Sequence, residues 1–519
     1  MSLTKVTNSM ISGAPGSILD AGATTGAADN TTAIGIALTN NSVVDVPVGN
    51  FAVTTLTVPA NKILQGFGYL SSLTGQLVAG AKSVIRKLTI SNASTIPLQL
   101  TVGADDVVFD EITTATGGYA STFLLDGSNN LTVRNSVISA DGYSILTNNG
   151  TFVTPAASSK IRIQDNYLSS IDADGIELNH PNAAVTGNIV TGNFIETTGT
   201  SSGSTAGFAF GNSNSRQWIF NSNIILDSRM EAVHIEAGQT GGTVVGNSIK
   251  SRAHGILLYG SLGTPGAAVP VIGNNLLSPA FTVISGLNNS GLFNSYASPV
   301  GPLNGVPIVG NVVEGFSVGM FLRGPLDQGI PTITLADNNS FKSSAIGIKL
   351  EGTNAAKNRQ FGVSYVEDTP ILASATIRGS CSFGKVYTNA TPTTIMDRDY
   401  ADYIPPCIDG FGYPIPSTTA NAISDLFAAT SGHRFFGRVR VEFTRTGVLD
   451  WLYASANVHW DGTTLTTTNL IWRGAGPTGT WSAPTFSVSA NVFKVFPNST
   501  VGMALQNNWM EFDGEYYIP

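Results

Sequence analysis

Apolar and polar residues alternate in short runs along most of this chain, and Gly, Asn, Ser and Thr separate the runs. Alternation with period two predicts short β-strands with one face in a core. One shape recurs: an Asn, two apolar residues, a polar turn, then an alternating strand that ends near Gly. It is seen in DNYLSSIDADGIELNH (from Asp165), SNIILDSRMEAVHIEAG (from Ser222), GNSIKSRAHGILLYG (from Gly246), GNVVEGFSVGMFLRG (from Gly310) and NNSFKSSAIGIKLEG (from Asn338). RNSVISADGYSILTNNG, from Arg134, is a weaker copy.

Short strands repeated roughly every two to three dozen residues predict a parallel β-helix, a solenoid whose coils stack at about 4.8 Å. Asn166, Asn223, Asn247, Asn311 and Asn339 fall at equivalent bends, where their amides can ladder. Residues 29–40, DNTTAIGIALTN, break the pattern. Asp29 or Asn30 can cap a short helix with Ala33, Ile34 and Leu38 on its apolar face, and that helix would close the open end of the solenoid.

The pattern changes again towards the C-terminus, where five of six Trp lie: Trp451, Trp460, Trp472, Trp481 and Trp509. HRFFGRVRVEFTRTG and LTTTNLIWRG alternate strongly, which predicts an antiparallel β-sandwich whose aromatics serve its core and a subunit interface. The expected organisation is all-β: a lead segment at 1–17, a β-helix over 18–390, a linker at 391–417 and a sandwich over 418–519.

Composition narrows the function. The chain has 519 residues, of which 42% are apolar, so a folded core is expected. Net charge is −8 and basic residues do not cluster, which argues against nucleic acid. The two cysteines, Cys381 and Cys407, make neither a disulfide framework nor a metal site. MSLTKVTNSMISGAPG lacks the layout of a signal peptide, and no run of about 18 apolar residues predicts membrane insertion. No cofactor motif is present, and DADG lacks the spacing of a calcium loop.

ILDAGATTGAADNTTAIGIAL (from Ile18), VVDVPVGNFAV (from Val43) and LTVPANKILQGFG (from Leu56) follow one another. Asp20, Gly22 and Ala23, then Asp29, Asn30 and Thr31, then Pro47, Gly49 and Phe51, then Gly66 and Gly68 carry a pattern. It resembles the opening of pectate-lyase-like right-handed β-helix proteins, in particular bacteriophage tailspikes and capsule depolymerases. The resemblance implies a homotrimer on a virion tail, acting outside the cell on a bacterial surface polysaccharide. It also implies docking on a baseplate or adaptor protein through the N-terminus, and a C-terminal domain for trimerisation or glycan contact.

Only 12% of residues are charged, about half the usual fraction, yet DADGIELNH (172–180) holds three carboxylates and a histidine. Stacking the coils by their Gly-Ile-x-Leu strands aligns Gly175 with Gly207, Ala232 and Gly255. The column through Glu177 then holds Ala209, His234 and Leu257. The column through Asp174 holds Ala206, Glu231 and His254. Asp172 stacks with Arg229 and Arg252, and Asn179 with Glu236 and Tyr259. Ile176 and Leu178 point inward, so Glu177 and His234 are expected to face solvent.

Carboxylates two coils apart are separated by about 9.6 Å, at the upper edge of the range for inverting glycosidases. Asp174, Glu177, Glu231 and Glu236 are therefore the candidate acid and base of a polysaccharide hydrolase. Asp172, Trp218, Arg229, His234, Arg252, His254 and Tyr259 are the candidate substrate contacts, Trp218 as a flat face for a sugar ring. The segment ETTGTSSGSTAG is placed to overhang the patch. The same residues allow a lyase, with His234, His254 or Tyr259 as base and Arg229 or Arg252 against a uronate. An esterase and a non-enzymatic receptor-binding spike also fit the fold. Charge on outward strand positions also serves solvation, and Asp172 with Arg229 fits a salt bridge that pins register.

Overall fold

The computed structural model describes residues 14–517 except 92–97, 101–103, 115–120, 126, 148–157, 172, 180–185, 198–205, 212–216, 229, 237–240, 261–268, 279–288, 297–306, 324–333, 343–345, 352–358, 362–363, 367–368, 374–380, 384–385, 389–406, 409–410, 416–423, 429–433, 446–450, 476–481, 490–491 and 497–504. The chain forms two compact units, residues 1–259 with 267–287, and residues 260–266 with 288–519.

The first unit is a parallel β-helix with three strands per coil. One coil runs through Arg162–Gln164, Tyr167–Ser170 and Ile176–Asn179. The next runs through Ile189–Thr191, Phe194–Thr197 and Phe208–Gly211, and each strand pairs in parallel with its counterpart. Three inward columns make the core. Val133, Ile163, Val190, Phe220 and Val244 form one, Ile138, Leu168, Ile195, Ile225 and Ile249 the second, and Ile145, Ile176, Phe208, Val233 and Ile256 the third. All of these side chains are buried. Burial on this scale stabilises by roughly 1.5–3 kcal/mol per large aliphatic side chain, before the entropy of ordering is set against it.

The recurring Asn is explained by the bend between the first two strands. Asn166, Asn193, Asn223, Asn247 and Asn274 form a continuous buried ladder, each Nδ2 donating to the next Oδ1 at 2.9–3.1 Å. Each Oδ1 of the last four also accepts the backbone N–H of the Asn one coil earlier. Asn193 and Asn274 extend the ladder beyond the positions expected from the sequence. The residue before each Asn takes a left-handed backbone: Asp165, Gly192, Ser222, Gly246 and Gly273 have φ between 54° and 69°. This is why the bend reads as GN, DN or SN.

The helix expected at 29–40 spans Thr31–Asn40 and buries Ile34, Ala37 and Leu38. Asn30 precedes it but makes no side-chain cap. Its amide instead joins Thr24 and Ala52, and Asp29 accepts from Thr31 N at 2.9 Å.

The second unit holds further parallel coils, such as Val312–Glu314 on Asn339–Lys342, with Asn311 donating to Asn339 at 3.0 Å. Pairing is parallel through Cys407–Ile408 and antiparallel from Phe411–Ile415 onward. The C-terminal part has a five-stranded sheet in the order Phe411–Ile415, Leu505–Tyr517, Arg434–Arg445, Trp451–Trp460, Leu465–Ala475. It also has a three-stranded sheet of Ser424–Ala428, Val492–Phe496 and Thr485–Ser489. Trp460 is buried in the first sheet with Val439, Val441, Leu452 and Val458. Among the described residues no helix is long and apolar enough to cross a membrane.

Candidate active site

The third strands of the first unit and the residues just before them carry Asp174, Glu177, Glu231, His234 and His254. Ile176 pairs with Phe208, Phe208 with Val233, and Val233 with Ile256. The register is the one expected, so Glu177, Ala209, His234 and Leu257 form one column. The residues just before these strands form a second column of Asp174, Ala206, Glu231 and His254. Gly175 stands between Asp174 and the strand because the backbone approaches closely there: a Cβ would lie 2.6 Å from Ile195 Cγ2 and 2.8 Å from Gly207 O. Buried serines tie down the turns that lead in. Ser228 Oγ donates to Glu231 O at 2.7 Å and Ser251 Oγ to His254 O at 2.6 Å.

Two rows of ionisable side chains result, with alanines between them. Asp174 and Glu177 lie on one coil, Ala206 and Ala209 on the next, and Glu231 and His234 on the one after. The rows are two coils, about 9.6 Å, apart along the solenoid axis. The alanines leave the space between the rows unfilled by their own side chains.

One expectation is corrected. Glu177 and His234 point away from the core, yet neither is freely solvated: Glu177 is only 9% exposed, and the His234 side chain 20%. Glu231, at 9%, and His254, at 6%, are buried as well. Strand alternation decides the direction of a side chain, but what lies above it decides its exposure.

Electrostatics follow from this enclosure. Burial and the Glu177 charge push the Asp174 carboxyl up to about 8, and Glu231 adds to the rise. The Ala206 N–H and His234 oppose it. That N–H donates to Asp174 Oδ1 at 2.6 Å. For His234, burial disfavours the charge, but Glu236, Glu231 and Asp174 outweigh it and raise its pKa. Its Nε2 lies 3.4 Å from Glu236 Oε1, and its ring is 5.6 Å from that of Tyr259.

Tyr143 joins this group and was not foreseen. Ile145 pairs with Ile176, so Tyr143 stands two residues before its strand partner as Asp174 does before Ile176. Burial, with the Glu177 and Asp174 charges beside it, raises the pKa of its phenol. Laying ADGYSIL on DADGIEL sets Tyr143 opposite Gly175, and only the pairing of Ile145 with Ile176 brings it opposite Asp174, so the repeat alone did not reveal it.

The remaining candidates separate from the cluster or lie outside the described residues. Trp218 is a core residue and offers no face to a sugar: it is 3% exposed and its ring lies 6.4 Å from Phe208. Gly242 makes room for it, since a Cβ there would overlap the indole. Arg252 is held by Asp227, with Nη2 to Oδ2 at 2.6 Å, and is thereby engaged away from the Asp174 column. Asp172, Arg229, His180 and most of the ETTGTSSGSTAG segment lie outside the described residues. Among the described residues no group of three or more His, Cys, Asp or Glu could hold a metal ion.

A family model described as "Right handed beta helix region" matches residues 35–207. No curated protein matches the sequence. Among solved structures, the fold is similar to the tailspike of E. coli bacteriophage HK620, in complex with a pentasaccharide. Identity is 11%, coverage is 96% of this chain and 93% of that one, and the TM-score is 0.52. It is also similar to the tailspike gp49 of Pseudomonas phage LKA1, at 11% identity over 96% of this chain and 100% of that one, with a TM-score of 0.50. The chain therefore has the right-handed parallel β-helix fold that these phage tailspikes share.

Proposed function

We propose that the protein is a tailspike-type depolymerase that binds a bacterial surface polysaccharide and hydrolyses a glycosidic bond between its two charged rows. The observation that carries this reading is the pair of carboxylates across an alanine floor. A separation of about 9.6 Å leaves room for a glycosidic oxygen at one row and a water at the other, as an inverting hydrolase needs. Asp174 is the acid: a carboxyl titrating near 8 still holds a proton at neutral pH and can protonate the leaving oxygen. Glu231 is the base that activates water from the far side. Glu177 and His234 line the slot and contact the glycan, with Glu236 steadying His234. The similarity to a tailspike in complex with a pentasaccharide supports a glycan ligand and a place on a virion tail.

The test is incubation of the full chain with capsular and O-antigen polysaccharides, following reducing ends and ultraviolet absorbance together. New reducing ends without absorbance are expected. Asp174→Asn and Glu231→Gln should each lower kcat by about 10²-fold or more while oligosaccharide binding persists. A rise in absorbance would replace hydrolysis by β-elimination. Binding without cleavage would leave a receptor-binding spike.

A further inference from the structure

Side chains in the Glu177 column point away from the core, because their strand neighbours Ile145, Ile176, Phe208, Val233 and Ile256 point in. Pairing sets the column in the order Leu146, Glu177, Ala209, His234 and Leu257, one residue per coil. Exposure along it is uneven. Leu146 is 1% exposed and Leu257 4%, so the outward face is covered at both ends of the series. Between them Glu177 is buried too, and only Ala209 and His234 are half-buried. The opening therefore centres on the one coil whose outward side chain is a methyl. Beside it, Glu231 Oε2 is buried and accepts no hydrogen bond among the described residues. A buried carboxylate oxygen without a donor is costly, so an occupant that brings hydroxyls fits there. A sugar and the water that attacks it both do.

We propose that the glycan crosses the solenoid, lying over residues 206–209 between the two charged rows, and that Ala209 sets the size of the sugar unit accepted there. The inference rests on the depolymerase reading for its substrate. A glycan running along the solenoid axis would have to pass over Leu146 and Leu257, where other parts of the chain already cover the face. A glycan running along the strands needs only the gap of about 9.6 Å between the rows. It then has Asp174 on one flank and Glu231 on the other, as in-line attack by water requires. Ala209 touches the sugar and no reacting atom, so it determines specificity and takes no part in the proton transfers. A longer side chain at 209 would stand between Glu177 and His234, its partners on the adjoining coils, and fill the gap.

Thiol labelling reads the opening without any substrate. A maleimide is applied to the full chain at about pH 9, where a thiol of ordinary pKa is largely ionised. Peptide mass spectrometry separates the introduced thiol from Cys381 and Cys407. Ala209→Cys should label about tenfold faster, or more, than Leu146→Cys or Leu257→Cys. Equal rates overturn the proposal, because the axial path would then be open. Should a leucine variant not fold, hydroxyl-radical oxidation of the wild type decides. Leu146 and Leu257 must oxidise far less than the exposed Leu226 and Leu277, and equal oxidation overturns the proposal. Capsular and O-antigen polysaccharides then test the occupant. Bound polysaccharide should protect the Ala209→Cys thiol. Ala209→Leu should lower kcat/KM by about tenfold or more, chiefly through KM, and Ala209→Ser should lose less. Equal losses in the two would defeat the role of size. Protection without cleavage would uphold the path and defeat the hydrolase reading. Cleavage with the thiol left unprotected would do the reverse.

Discussion

Asp174 would carry a negative charge where burial and Glu177 both oppose one, and that has a consequence for stability. Its carboxyl titrates near the ordinary 3.8 when unfolded and near 8 when folded. Between those values the folded chain holds more protons than the unfolded chain, so this residue makes stability fall as pH rises from about 4 to about 8. Asp174→Asn, whose amide oxygen can still accept from Ala206, should remove that part of the slope. Thermal melts should show a Tm gain over wild type that is larger at pH 8 than at pH 5. Equal gains at both would mean that Asp174 is not the cause. His234 leaves a residual slope, because a raised folded pKa gives stability that is present below about 6.5 and lost as pH rises through the folded value. At this scale the sequence was informative where charge was scarce: Asp174, Glu177, Glu231 and His234 stood out against Ser, Thr and Asn. Tyr143 did not stand out, and Trp218 misled, because nothing local shows that Gly242 vacates its space.

At the scale of the element, the bends are held by side chains as much as by backbone. Asn223 accepts from Asn193 N and Nδ2, and donates to Val190 O and Asn247 Oδ1, all buried. Asn223→Ala would leave four groups without these partners, at about 1–3 kcal/mol for each that finds no substitute. A loss of about 3 kcal/mol or more is expected from the shift in denaturant midpoint. A loss below about 1 kcal/mol would make the ladder incidental. The αL position before each Asn is met by Gly at 192, 246 and 273, but also by Asp165 and Ser222. Those two pay roughly 1–2 kcal/mol of backbone strain, and the close coupling of the next coil holds them there. The Asn positions could be read from the repeat. Asn193 and Asn274 escaped notice because the strands beside them vary.

At the scale of the whole molecule, every coil of the first unit is held by residues distant in sequence. Asn223 meets Asn247 across 24 residues and Asn193 across 30. Loop closure must precede each such contact, so parallel coils fold slowly even though each strand is short. Refolding by dilution from denaturant, followed by tryptophan fluorescence and far-ultraviolet circular dichroism, should take seconds or longer. Completion within milliseconds would show that local structure alone directs the fold.

Period-two alternation and turn residues are local properties, and from them the sequence by itself determined the parallel coils, the capping helix, the change to an antiparallel C-terminus and the register of the Asp174 and Glu177 columns. Only the tertiary structure decided that Glu177 and Glu231 are buried, that Trp218 belongs to the core, that Arg252 is engaged by Asp227, and that Tyr143 stands opposite Asp174. Direction along a strand follows from its own pleat. Burial, pairing and pKa depend on which residues other coils bring alongside, and those lie tens of residues away.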